Sequence, residues 1–197
     1  MQMTHQARVS ILVLVLLMLC SRPLIAQAHA RRHGLWGSLL IGYGSLHTSS
    51  AQETAKRADT FAFDLELGAT LAPALRPGLE FNGWLLEAFD LNDSSRGESL
   101  SQALLLLEVY PWSRTDVFIK GGFGRAMYTA NDPLKHGSSG WGATLGLGYR
   151  THLAHVLWLK AAFNYSAATT GDVRNAAVTI VGRRYHTLDL VVGIAYR

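Results

Sequence analysis

The chain has 197 residues, of which 18 are Lys or Arg, 14 Asp or Glu and one Cys; 49% are hydrophobic and the formal net charge is +4. A single cysteine excludes a disulfide framework, and so small a charge with no Lys/Arg-rich run excludes nucleic-acid binding through a basic patch. Once a leader is set aside, the length suits one domain.

In chain order, residues 1–30 have the three-part layout of an export signal: Arg8, the apolar run "ILVLVLLMLC" at 11–20, then Pro23 and small alanines at Ala26, Ala28 and Ala30. The run falls short of the roughly 20 residues that a spanning helix needs. Cleavage is expected after Ala28 or Ala30. Leu19 precedes Cys20 where a lipoprotein site needs a small side chain, so the cysteine is not read as a lipid anchor. The expected organisation is a signal peptide over 1–30 and one domain over 31–197, the latter with 16 basic residues, 14 acidic and no cysteine.

Beyond the leader, period-2 alternation recurs and helical periodicity does not. It predicts eight strands near 35–46, 60–71, 78–89, 100–110, 117–128, 141–150, 156–166 and 178–197. The connections alternate in kind. Those at 47–59, 90–99, 129–140 and 167–177 are long and polar, whereas "APALRP" (72–77), "PWSRTD" (111–116) and "THLAH" (151–155) are short. Long loops on one rim and short turns on the other fit an antiparallel up-and-down meander.

Each predicted strand has an uncharged apolar face, for example Phe61, Phe63, Leu65 and Leu67 in the second and Trp141, Ala143, Leu145, Leu147 and Tyr149 in the sixth. The opposite faces collect Asp64, Glu66, Glu80, Asn82, Gln102, Glu108, Lys120, Thr144, Arg150, Lys160, Asn164 and Asp189. A soluble barrel would turn the apolar face inward; a membrane barrel turns it to lipid and seals the charges inside. An export signal without disulfides, alternation of about 9–11 residues per strand and aromatics near strand ends favour the membrane barrel. Those aromatics are Trp36, Tyr110, Trp112, Tyr128, Trp141, Tyr149, Trp158, Tyr165 and Tyr196. A secreted, lipocalin-like barrel for an apolar ligand is the soluble alternative.

Eight strands enclose only enough space for their own side chains, so Asp64, Glu66, Glu80, Glu108 and Asp189 must pair with Lys120, Arg150 and Lys160 in a packed polar network. The surplus of acids predicts that one is protonated or that Arg76 or Arg125 folds in from a rim. The network reads as a structural plug. "HGS" at His136–Ser138 has a histidine two residues from a serine, similar to small outer-membrane barrels that deacylate lipid A; no Glu follows Glu108, and Asp132 and Asp172 are the nearest acids to complete a triad. His152 and His155 flank a turn without a carboxylate or thiol, so no metal and no cofactor is expected. Arg174, Arg183 and Arg184 re-enter from the last long loop and are candidates for lipid-phosphate contact. Glycines in "KGGFG" (120–124) and at Gly142, Gly146 and Gly148 leave room for large interior side chains.

The segments "FIKGGFGRAMY", "GWGATLGLGYR" and "LDLVVGIAYR" resemble the small eight-stranded outer-membrane barrels of the OmpA/OmpX and opacity-protein type, over about 35–197. The resemblance implies an all-β, eight-stranded transmembrane barrel in the cell outer membrane, with lipids including lipopolysaccharide around it and the outer-membrane assembly machinery as a partner in biogenesis. It further implies four extracellular loops and a non-enzymatic role in envelope structure or surface interaction. Such barrels usually end in an aromatic residue, and here Arg197 follows Tyr196. A lipid A-modifying enzyme is the catalytic alternative.

Overall fold

The computed structural model describes residues 34–49, 56–85, 98–112, 115–130, 136–171, 173–174, 179–180 and 182–196; the predicted leader lies outside them. Its strands are β1 (Gly34–Ser49), β2 (Lys56–Thr70), β3 (Leu75–Leu85), β4 (Glu98–Val109), β5 (Val117–Ala130), β6 (His136–Ala154), β7 (Leu157–Thr170), β8 (Val173–Arg174), β9 (Thr179–Ile180) and β10 (Arg183–Tyr196). Eight of them close into an antiparallel barrel in the order β1-β10-β7-β6-β5-β4-β3-β2, and β8 pairs with β9 in a small separate ribbon. The closing seam runs from Gly37 opposite Tyr196 to Ser49 opposite Arg184.

Several boundaries differ from the alternation pattern. The first short turn ends before Pro77: Leu75 N donates to Ala72 O at 3.0 Å, so Pro73 and Ala74 make the turn. Pro77 stands within β3 opposite Leu107. β6 outruns its apolar stretch at both ends, because Ser138 and Ser139 keep pairing with β5, and Thr151 and His152 with β7. Backbone pairing does not require the side chain to be apolar, so strands extend past the greasy belt that marks them in the sequence. The last long connection contains the β8–β9 ribbon, and β10 begins only at Arg183.

Orientation is decided by burial. Leu65, Leu145 and Leu159 are 42%, 61% and 39% exposed on the outside, while Asp64, Lys120 and Lys160 are 1%, 0% and 2% exposed in the lumen. A soluble barrel has the opposite arrangement. With no water in hydrocarbon to satisfy a free edge, closure of all eight strands leaves every strand with a neighbour on each side.

The outer face changes character sharply toward the long-connection rim. On β1 it passes from Leu39, Ile41 and Tyr43 to Ser45 and His47; on β2 from Leu65, Phe63 and Phe61 to Asp59 and Arg57; on β6 from Leu145 and Trp141 to Ser139. Trp112, Trp141, Tyr165 and Tyr196 are exposed, as an interfacial girdle requires. Trp36, Tyr110 and Tyr128 are not part of it: they are buried inside the barrel. Placement near a strand end does not reveal which way a ring turns, and these three share the lumen-facing parity of their strands.

The outer belt predicts a depth-dependent penalty. Leu145→Arg, mid-belt, should cost about 2–4 kcal/mol and Ser139→Arg, beyond the belt, about 0–1 kcal/mol, measured by reversible urea unfolding in lipid vesicles. Equal costs would place the belt elsewhere.

Candidate functional site

The middle of the lumen is organised around one ammonium group. Lys120 on β5 donates to Asp64 Oδ2 at 3.1 Å, Glu66 Oε1 at 3.0 Å and Glu80 Oε1 at 2.6 Å, the first two from β2 and the third from β3. These carboxylates approach within 4.8 Å of one another, close enough to ligate a cation, and the chain supplies that cation itself. The lysine reaches them because Gly146 lies beneath it. A Cβ there would stand 2.9 Å from Lys120 Cγ and 2.5 Å from Asn164 Oδ1.

Glu66 is shared. It also accepts from Lys160 Nζ and Ser38 Oγ, and Lys160 donates in turn to Glu108. Asp189 accepts from neutral donors, Trp84 Nε1 at 3.2 Å and Asn164 Nδ2 at 2.9 Å, and Asn164 also donates to Asp64 at 3.0 Å. Tyr110 donates to Glu108 at 3.1 Å and accepts from Arg76 at 3.4 Å. One hydrogen-bonded line therefore runs Trp84, Asp189, Asn164, Asp64, Lys120, Glu66, Lys160, Glu108, Tyr110, Arg76. Buried charges remain in such a space only when paired and hydrogen-bonded on several sides.

The short-turn end is closed by alternating cations and rings. Arg150 lies 4.6 Å from the Trp158 ring and 4.5 Å from that of Tyr110; Arg76 lies 5.0 Å from Tyr110 and 6.0 Å from Trp36; Lys160 lies 5.5 Å from Trp36 and 4.6 Å from Phe118. Each cation sits between two faces, which stabilises it where water is scarce. Phe118 fits because its neighbour on β6 is Gly148, where a Cβ would come within 2.2 Å of the ring. The remaining cavity at this end measures about 10 Å³, at most one water. Toward the long-connection end the filling turns apolar: Leu46, Leu100 and Ala168 surround the stacked rings of Tyr128 and Tyr185, 5.6 Å apart. The lumen is thus ionic at its centre, with cations between rings at the short-turn end and tyrosines among aliphatic side chains at the other.

Of the candidate residues, Asp64, Glu66, Glu108, Lys120, Lys160 and Asp189 meet in the line above, and Glu80 branches from it at Lys120. Arg150 stands apart from it, bonding Asp116 Oδ1 through Nε at 3.2 Å and Nη2 at 3.1 Å. Asp116 was hidden in a segment that reads as a turn. Arg76 does fold in, 3% exposed, whereas Arg125 stays outside over the Trp141 ring at 5.3 Å. Arg183 turns against the lumen-facing Tyr128 ring at 5.0 Å and Arg184 is exposed outside. The side chains of His136 and Arg174, and all of Asp132 and Asp172, lie outside the described residues. His152 Nε2 is 3.4 Å from His155 O.

A family model described as outer membrane protein beta-barrel domain matches residues 12–195. The chain belongs to that family. Among solved structures it is similar to neisserial surface protein A (TM-score 0.54, 14% identity, covering 83% of this chain and 98% of that one) and to Ail, the attachment invasion locus protein of Yersinia pestis (0.52, 12%, 82% and 98%). It is also similar to the outer membrane protein AlkL in lipid bilayers (0.51, 13%, 89% and 94%). Identities this low speak for the fold alone. No curated protein sequence matches. Family and fold together place the chain in the outer membrane, in a lipid environment that includes lipopolysaccharide.

Removing the shared cation should be the costliest single change in the lumen. Lys120→Met takes the cation from three buried carboxylates, leaving Glu66 with Lys160 and Asp64 with Asn164, and is expected to cost about 3–5 kcal/mol. Arg150→Met should cost less, because Asp116 is 24% exposed and regains water. Urea unfolding of the two variants in vesicles, read by tryptophan fluorescence, checks the order.

Proposed function

We propose that this protein is a plugged, non-enzymatic outer-membrane barrel that serves envelope structure or surface contact through its outer face and long connections. The filled lumen carries this reading. A hydrogen-bonded line crosses its centre, a stack of cations and rings blocks the short-turn end, and the cavity there is about 10 Å³. A barrel whose interior is occupied by its own side chains acts at its surface, where loops on a rigid scaffold hold specificity. Attachment and invasion belong to the name of Ail; for this chain, surface contact is supported by the long polar connections on one rim. The outer-membrane assembly machinery is the proposed partner in biogenesis, since the lumen network forms only when the sheet closes.

Purified protein in a planar bilayer is expected to show no steady conductance, and Trp36→Ala with Tyr110→Ala should leave it closed, because the ion cluster at the centre of the lumen stays in place. Steady wild-type current would overturn the plug. Lipid A incubated with the protein should keep its full set of acyl chains by mass spectrometry; loss of a chain that depends on His136 would overturn the non-enzymatic reading.

A further inference from the structure

Among the described residues, the exposed arginines Arg57, Arg125 and Arg184 all lie toward the long-connection end, while the histidines divide, His47 and His186 at that end and His155 at the other. Outward positions near the short-turn rim such as Leu35, Leu71, Leu75, Leu153 and Tyr196 are apolar, and Arg76, Arg150 and Lys160 of that end are turned into the lumen. Near the long-connection rim the pattern reverses. His47 on β1 stands opposite Arg57 on β2 and opposite His186 on β10, and Ser49, two residues further on, stands opposite Arg184. Neighbouring strands are about 4.8 Å apart, so these side chains form one continuous patch across three strands.

The patch is held in place. Arg57 Nε donates to Ser45 Oγ at 2.7 Å, which lays the guanidinium across β1, and the His186 ring stacks on Tyr165 at 6.0 Å with its Nδ1 2.8 Å from the phenol oxygen. One carboxylate, Asp59, shares the face opposite Ser45, leaving two guanidiniums against one acid. The belt begins past the Ser45–Asp59 pair on β1 and β2, at Tyr43 and Phe61, and next to His186 on β10, at Leu188, all exposed.

We propose that Arg57, His47, His186 and Arg184 form a binding site for the phosphate of an anionic lipid whose acyl chains lie along Tyr43, Phe61 and Leu188. A guanidinium presents paired N–H groups that match a phosphate, and the imidazoles add further donors. The apolar residues beneath, past Ser45 and Asp59 on β1 and β2 and directly next on β10, commit the site to a lipid: a free anion would use the cations and leave that surface unused. A site at the long-connection rim takes its lipid from the leaflet on that side of the bilayer. Arg125, held over the exposed Trp141 ring and donating to Ser139 Oγ at 3.3 Å, supplies a second, single cation level with Trp141 on β5. The site rests on the outer-membrane placement of the barrel and not on its being plugged or non-enzymatic.

The test uses the intact barrel in phosphatidylcholine nanodiscs, with fluorescent bis-phosphorylated lipid A, the same lipid after phosphatase treatment, and inorganic phosphate as competitor. At a few-fold to tenfold per arginine near a membrane surface, wild type should prefer the phosphorylated lipid by about thirtyfold. Arg57→Gln with Arg184→Gln should lower that preference to about threefold or less, and Arg57→Lys with Arg184→Lys should restore most of it. Heat-dependent gel migration verifies that each variant is a closed barrel, and the single Arg57→Gln and Arg184→Gln variants give intermediate preferences. Retention of the full preference by the double Gln variant, or no preference in wild type, overturns the site. Displacement of the lipid by millimolar inorganic phosphate overturns the lipid and leaves an anion site. Neither result alters conductance or lipid acylation, so failure here is separate from failure of the proposed function.

Discussion

An ammonium group gripped by three carboxylates in a space with almost no water is the interaction on which this molecule depends. Three acids from β2 and β3 point into the same narrow lumen, and without Lys120 only Glu66 would keep a cation, through Lys160. The lysine comes from β5, two strands from β3 and three from β2, so the ion cluster is also a strut between strands that do not pair. Lys160 repeats the device between Glu66 and Glu108, and the two struts share Glu66.

Lipid outside and charge within invert the usual economy of a globular protein. The apolar residues that would form a core line the perimeter, where acyl chains meet them, and association among them is not what holds the sheet together. Closure of the hydrogen-bonded ladder and satisfaction of the lumen do that work. The lumen is graded: ions in the middle, guanidiniums between aromatic rings at the short-turn end, and tyrosines with leucines at the other. Each layer suits its depth, since a cation between rings tolerates a half-wet mouth and an aliphatic layer needs no partners.

Strand parity was legible in the sequence. Asp64 and Glu66 lie two apart between Phe63, Leu65 and Leu67, and a pleated strand can place such a set in only one way once lipid is on one side. Connection lengths revealed the two rims. Partnership inside was not legible, because it depends on the stagger between strands around the barrel. Arg150 bonds Asp116 from a supposed turn, and the three-fold grip on Lys120 joins residues up to 56 positions apart. Trp36 and Tyr110 resembled girdle residues because strand-end position alone carries no information about which face a ring takes, and Pro77 looked like a turn residue although the tight turn needed only Pro73 and Ala74.

The same distances in sequence bear on the order of assembly. Trp84 meets Asp189 across 105 positions, Asn164 meets Asp64 across 100, and Lys160 meets Glu66 across 94. No hairpin alone contains any of these pairs, so a partly built sheet holds bare charges on the side that will become the lumen. Such an intermediate is tolerated beside water or a protein surface but is repelled from hydrocarbon. Curling of the sheet must therefore accompany or precede its burial in the bilayer, and the slow, nonlocal search that this entails makes insertion a single cooperative event rather than a stepwise threading of hairpins.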